Sequence, residues 1–195
     1  MSTATLLIAG LGNPGRQYQN NRHNAGAHFL AALCGQHGTT LRPEKKFHGE
    51  CGSVTIGGQE LRLLFPTTYM NKSGQSVAAL ANFYKIAPRN ILVAYDELDL
   101  PLGAARLKLG GGHGGHNGIR DIIAALGTPD FLRLRLGIGH PGEASKVLGH
   151  VLGDFGKDEV PVMAKTIERS LEVLPLLVNG ELEKAMHKLH TAPAL

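Results

Sequence analysis

The sequence predicts an α/β fold: a single domain over residues 1–195, with a mixed, mostly parallel central sheet and helices on both faces. Three observations predict it. Short apolar runs alternate with stretches of helical periodicity, the order that winds parallel strands through helical crossovers. Two of those runs, "LLIA" and "NILVAYD", show little alternation, as strands covered on both faces do. At 195 residues and 43% apolar content, the chain supplies one large core rather than two small ones.

The elements follow in order. Residues 6–9 form the first strand and feed a glycine loop, and a helix over 25–37 carries Phe29, Leu30 and Leu33 on one side. "CGSVTIGGQELRLLFP" reads as a hairpin closed by Gly57-Gly58, a favoured two-residue turn. Ser73 is placed as N-cap of a helix bearing Val77, Leu80 and Tyr84. After Pro88 comes the strand "NILVAYD", ending on Asp96. "AARLKL" is a strand that runs into the glycine loop "GGGHGGHNG", where Asn117 is expected to cap a helix over 119–126. "FLRLRLG" alternates leucine with arginine as a half-exposed strand does, which puts Arg133 and Arg135 on one face. From about residue 158 the chain reads as helix, broken near Asn179-Gly180 and expected to serve as packing and lid. In such sheets, sites gather in loops at the carboxyl ends of strands. Three loops after strands are polar or glycine-rich: residues 10–24, 96–100 and 110–118.

A net charge of +4 and a pI near 9.2 suit an acidic partner without demanding one. No Asp or Glu precedes Glu44, whereas Arg16, Arg22 and Arg42 do. No run of eighteen apolar residues and no charged-then-apolar leader is present, so neither a membrane span nor export is expected. Cys34 and Cys51 stand alone without a C-x-x-C, which argues against a disulfide framework or a cysteine zinc site and favours the cytoplasm.

Gly10, Gly12 and Gly15 spell G-x-G-x-x-G. A dinucleotide turn would open directly into an apolar-faced helix and meet an acid about twenty residues on. Here "RQYQNNRHN" has no apolar face and the first acid is Glu44, so no nicotinamide cofactor is expected. No G-x-x-x-x-G-K-[ST] loop is present either. What remains is a polar loop holding Asn13, Tyr18, Asn20, Asn21, Arg22, His23 and Asn24. Carboxamides and an imidazole suit a site for uncharged polar groups, although a single loop asparagine often does no more than satisfy its own backbone.

"GLGNPGRQYQNNRHNAG", "PTTYMNKSGQSV", "DELDLPLGAARLKLGGGHGGHNGIRDI" and "FLRLRLGIGHPG" together resemble bacterial peptidyl-tRNA hydrolase, in the family's order and over roughly residues 6–189. Lys72 is one departure, standing where an apolar residue is more usual. The resemblance implies an esterase that cleaves peptide from the ribose of its tRNA and so recycles tRNA from prematurely released peptidyl-tRNA. It implies a cytoplasmic, monomeric, metal-free and cofactor-free enzyme. It makes His23 the catalytic base and Asp96 the carboxylate that orients it. Asn13, Asn71 and Asn117 line the site, Asn13 distinguishing peptidyl-tRNA from free aminoacyl-tRNA. Tyr18, Tyr69, Asn71 and Asn117 match substrate contacts, Met70 packs beside the imidazole, and Lys108 lies near the tRNA.

The residue chemistry agrees. A histidine titrating near 6.5 can take a proton from water, and a carboxylate on its other nitrogen fixes the tautomer. A carboxamide can donate to the carbonyl oxygen as it gains charge, and Asn13 can accept from a peptide amide. No serine or cysteine elbow is present, so direct attack by water is the simpler scheme. His113 and His116 form H-x-x-H, which without a third ligand is a weak zinc pattern; their loop is better suited as a lip for the tRNA acceptor end, with Arg133 and Arg135 as further phosphate contacts. The competing readings are a non-catalytic RNA-binding protein on the same fold and, third, a metal-dependent peptidase.

Overall fold

The computed structural model describes residues 4–195. In chain order it begins with β1 (Leu7–Gly10), α1 (Ala25–His37), β2 (Arg42–Glu44), β3 (Gly49–Ile56) and β4 (Gln59–Pro66). Then follow α2 (Ser73–Phe83), β5 (Ile91–Glu97), β6 (Ala105–Leu109), α3 (Asn117–Leu126) and β7 (Leu132–Gly137). Four helices close the chain: α4 (Val147–Val151), α5 (Glu159–Glu172), α6 (Leu174–Val178) and α7 (Leu182–His190).

All seven strands join one sheet, in the order β2-β3-β4-β1-β5-β7-β6. The four central strands, β4, β1, β5 and β7, are parallel, while β2 and β3 on one flank and β6 on the other pair antiparallel. Helices cover both faces, as the interleaved sequence predicts. On one face Phe29, Leu30 and Leu33 of α1 pack with Met163, Ile167, Leu177 and Leu189 of the C-terminal helices. On the other, Val77 and Leu80 of α2 meet Ile119 and Ile122 of α3. Leu7, Ile8 and Ala9 are fully buried, which accounts for the unalternating apolar run. Gly57 and Gly58 both take positive φ, as a tight hairpin turn requires.

The first glycine of the G-x-G-x-x-G pattern serves packing. A Cβ on Gly10 would stand 2.4 Å from the Gly26 carbonyl oxygen, so the pattern lets the start of α1 press onto β1. The chain reaches α1 through two short 3-10 turns, Arg16–Tyr18 and Arg22–Asn24, and not directly as a dinucleotide turn would.

Four expectations are corrected. β7 is an interior strand and not half-exposed, because Leu132, Leu134 and Leu136 enter the core on one face and the glycine loop lies over Arg133 on the other. Ser73 is the first residue of α2 rather than its cap, and its hydroxyl donates back to the Met70 carbonyl at 2.7 Å. Asn117 likewise begins α3, and the residue that caps it is His116, whose Nδ1 accepts from Ile119 N–H at 3.3 Å. The third loop also differs in where it starts. β6 runs antiparallel, so the glycine loop leaves the opposite end of the sheet beside Phe131 and climbs toward Asp96. The strand α4 lies beyond is β7, and β6 itself is an edge whose Leu107 N–H donates to His190 Nε2 of α7 at 2.9 Å.

Candidate active site

Asp96 is the penultimate residue of β5, and only 2% of its surface is exposed. Its two oxygens are divided between two imidazoles. Oδ2 accepts from His23 Nδ1 at 2.8 Å and Oδ1 accepts from His116 Nε2 at 2.8 Å. The rings stand 5.1 Å apart, and Tyr95 packs edge-on against His116. Each tautomer follows from its partners. A backbone N–H only donates, so the Ile119 bond leaves the His116 proton on Nε2. A carboxylate only accepts, so His23 carries its proton on Nδ1 and keeps the Nε2 lone pair free.

Electrostatics reinforce this. Burial alone would push the Asp96 carboxyl up, but the flanking imidazoles outweigh it and hold the group well below the usual carboxylate range. For His23, burial pulls down while the charge and hydrogen bond of Asp96 pull up, and the net is above 6.5. One donor atom from each of His23, Asp96 and His116 lies within 4.8 Å of the others, close enough to hold a cation. The Ile119 bond, however, leaves a proton on His116 Nε2 where a metal would need a lone pair.

The dyad opens into a cavity of about 330 Å³ whose walls include Asn117, Gly114 and Leu98 on one side and Ala144, Val147, Leu148 and Val151 on the other. Of the residues expected at the site, His23, Asp96, His116 and Asn117 meet here. Asn13 lines a different depression, of about 570 Å³, with Asn24 and Arg16. It is tied to the His23 turn all the same: Asn24 accepts from the Asn13 N–H at 2.9 Å and donates to its carbonyl at 3.0 Å. Asn13 Oδ1 accepts the Met70 N–H at 2.8 Å, so the amide end it leaves unbound is the Nδ2 donor, in place of the acceptor expected.

The others spread out. Met70 is buried beneath the site, where its sulfur, Leu11 and His116 approach Gly118 so closely that a Cβ there would stand 2.7 Å from the sulfur. It packs as core beside the His116 side of the dyad and is not a surface contact. Tyr69 is 60% exposed, Asn71 is exposed and Tyr18 half-buried, and none of the three lines the cavity. His113 turns Nδ1 onto the Gly115 N–H at 2.9 Å and takes no part in the dyad. Lys108 is exposed on the edge strand and lies over Gly111.

The two arginines correct the sequence reading further. Arg133 is 1% exposed and cannot reach a phosphate. Its guanidinium donates to the carbonyls of Gly112, Gly111 and Pro129 and so props up the climbing glycine loop. Arg135 is half-buried and paired with Glu97 at 2.8 Å. The residues that sequence reasoning missed are those of the apolar wall, although Ala144, Val147, Leu148 and Val151 fall at i, i+3, i+4 and i+7, the signal of one helical face.

A family model described as Peptidyl-tRNA hydrolase matches residues 7–194. Peptidyl-tRNA hydrolases of Pseudomonas savastanoi pv. phaseolicola and Marinobacter nauticus are 57% and 55% identical to the chain, each over 98% of it and over 100% and 97% of their own lengths. The crystal structure of peptidyl-tRNA hydrolase from Acinetobacter baumannii is similar with a TM-score of 0.94 at 50% identity, covering 98% of this chain and 96% of that one.

Proposed function

The chain belongs to the peptidyl-tRNA hydrolase family and hydrolyses the ester between peptide and tRNA, and we propose that it does so with His23 as general base on water. The observation that carries the proposal is the Asp96 contact: a buried carboxylate on Nδ1 leaves the Nε2 lone pair of His23 free beside an open cavity.

In this mechanism, Nε2 takes a proton as water attacks the ester carbonyl carbon, and Asp96 stabilises the imidazolium that forms. The carbonyl oxygen becomes an oxyanion. When the tetrahedral intermediate collapses, the bond to the ribose oxygen breaks and the imidazolium returns its proton to that oxygen. The products are a peptide carboxylate and free tRNA. Asn117 stands at the cavity wall to meet the reacting group, and Asn13 offers its Nδ2–H to a carbonyl oxygen of the substrate. Lys108 holds a tRNA phosphate. The compartment is the cytoplasm and the working unit a monomer; no helix among the described residues is long and apolar enough to cross a membrane.

The test is tRNA release from N-acetyl-aminoacyl-tRNA beside the unblocked aminoacyl-tRNA, with EDTA present. Wild type releases tRNA quickly from the blocked substrate only. His23→Ala lowers turnover by ~10²–10⁴, the scale of general-base help, while tRNA binding persists. Near-normal turnover in the variant would reject His23 as base, and restoration of a chelated enzyme by zinc would reject the metal-free scheme.

A further inference from the structure

We propose that Arg22 is a positioning residue: with Glu159 it latches the α4 wall over the cavity and thereby sets how the enzyme holds the peptide, separately from the chemistry at His23. The proposal rests on the reading of the cavity as the peptidyl-tRNA site.

Arg22 and His23 share one 3-10 turn but face different tasks. The Arg22 guanidinium donates to the His150 carbonyl at the end of α4 at 3.0 Å and to Glu159 Oε1 at the start of α5 at 2.8 Å. Its backbone N–H donates to Gly153 O at 2.9 Å. The neighbours extend the seam: Phe155 N–H donates to Asn20 O at 3.2 Å, and Asn21 bridges to Asp154. Glu159 is itself held, accepting the Gly156 N–H at 2.8 Å; burial is the largest single pull on its carboxyl and acts upward, but the Gly156 bond and Arg22 together outweigh it and leave the pKa below the ordinary carboxylate value. The catalytic turn and the cavity's outer wall are thus tied through one guanidinium.

This seam is only lightly anchored. α4 is five residues long, and Leu148 on it is 70% exposed. Contacts across the seam mix polar bonds with the Phe155 ring, which faces Arg22 and His28, and with Val151, which enters the core. Asn21 is fully buried, yet its Oδ1 and Nδ2 find no partner among the described residues, and neither does Arg22 Nε. Parting the seam would give those atoms hydrogen bonds, so the closed wall depends on the Arg22–Glu159 pair to stay closed. A cavity of about 330 Å³ is of small-ligand size, so a peptide of several residues must pass the α4 wall.

Glu159 lies on α5, away from the reacting atoms, which makes Glu159→Gln the informative variant. In the full-length protein it raises KM for a peptidyl-tRNA of several residues by roughly 5- to 20-fold, the scale of a single coupling contact, while kcat and the acid limb of the pH profile stay near wild type. It also speeds hydrogen exchange across residues 144–155. Arg22→Lys, which keeps charge but not the planar fork, falls between wild type and Glu159→Gln. Arg22→Gln added to Glu159→Gln raises KM by less than the two single effects multiplied together, as partners in one interaction require, the remainder being the Arg22 bond to the His150 carbonyl. An unchanged KM, or unchanged exchange, overturns the latch. A lowered kcat with a displaced acid limb also overturns it, since Arg22 would then act on His23 directly. An inactive wild type with the exchange response intact would refute the assigned reaction and leave the latch standing.

Discussion

Asp96 does two jobs for His23, and they can be separated. It fixes the tautomer by accepting from Nδ1, and it raises the pKa by opposing the pull of burial. Under the proposed mechanism His23 must be neutral to act, so the acid limb of kcat/KM is expected to have its midpoint above 6.5. Asp96→Asn removes the charge, moves that midpoint down and lowers kcat by ~10²–10⁴; a midpoint that stays in place would show that Asp96 is not what raises it. Asn13→Asp makes a second test. The new carboxylate still accepts the Met70 N–H but loses the Nδ2 donor, so turnover falls by about 10²–10³ with the melting temperature largely kept. If stability falls as far as activity, Asn13 is structural. The sequence marks these residues through four ordered segments that resemble a family. Their contacts were not legible: His23 and Asp96 are 73 residues apart, and nothing local says that one carboxylate is shared with His116.

Elements show where local pattern succeeds and where it fails. The helix over 25–37 and the Gly57-Gly58 hairpin were readable because periodicity and turn chemistry are local. β7 defeats the pattern, since alternating Leu and Arg normally marks a wet face and here the tertiary path of the glycine loop lays its carbonyls over Arg133. α4 was missed because five residues fall short of an ordinary helix, although their spacing was visible. Short, wholly exposed β2 gave no signal at all. The corrected role of Arg133 separates it from Lys108. Arg133→Met leaves loop carbonyls without a donor and costs about 1–3 kcal/mol in urea unfolding, with the salt slope of tRNA binding unchanged. Lys108→Ala leaves stability alone and reduces that slope by about one. Exchanged outcomes would return Arg133 to the phosphates.

At the scale of the molecule, the dyad ties stability to pH in two directions. The contribution of Asp96, whose pKa is lowered on folding, is present above 3.8 and lost as pH falls through its folded value. That of His23, whose pKa is raised, is complete below 6.5 and lost as pH rises through its folded value. Stability from this pair therefore peaks between those limits, below the range where His23 is neutral. The melting temperature of wild type falls from about pH 6 to about pH 8 by more than that of His23→Ala, and equal falls would mean the dyad is not the source. One further consequence belongs to the far side of the sheet. An edge strand carries unpaired N–H groups that invite a strand from another molecule. Here α7 packs along β6, and His190 takes the Leu107 N–H for itself. The last helix therefore closes that edge to an incoming strand, a contribution to keeping copies of the chain apart rather than to chemistry.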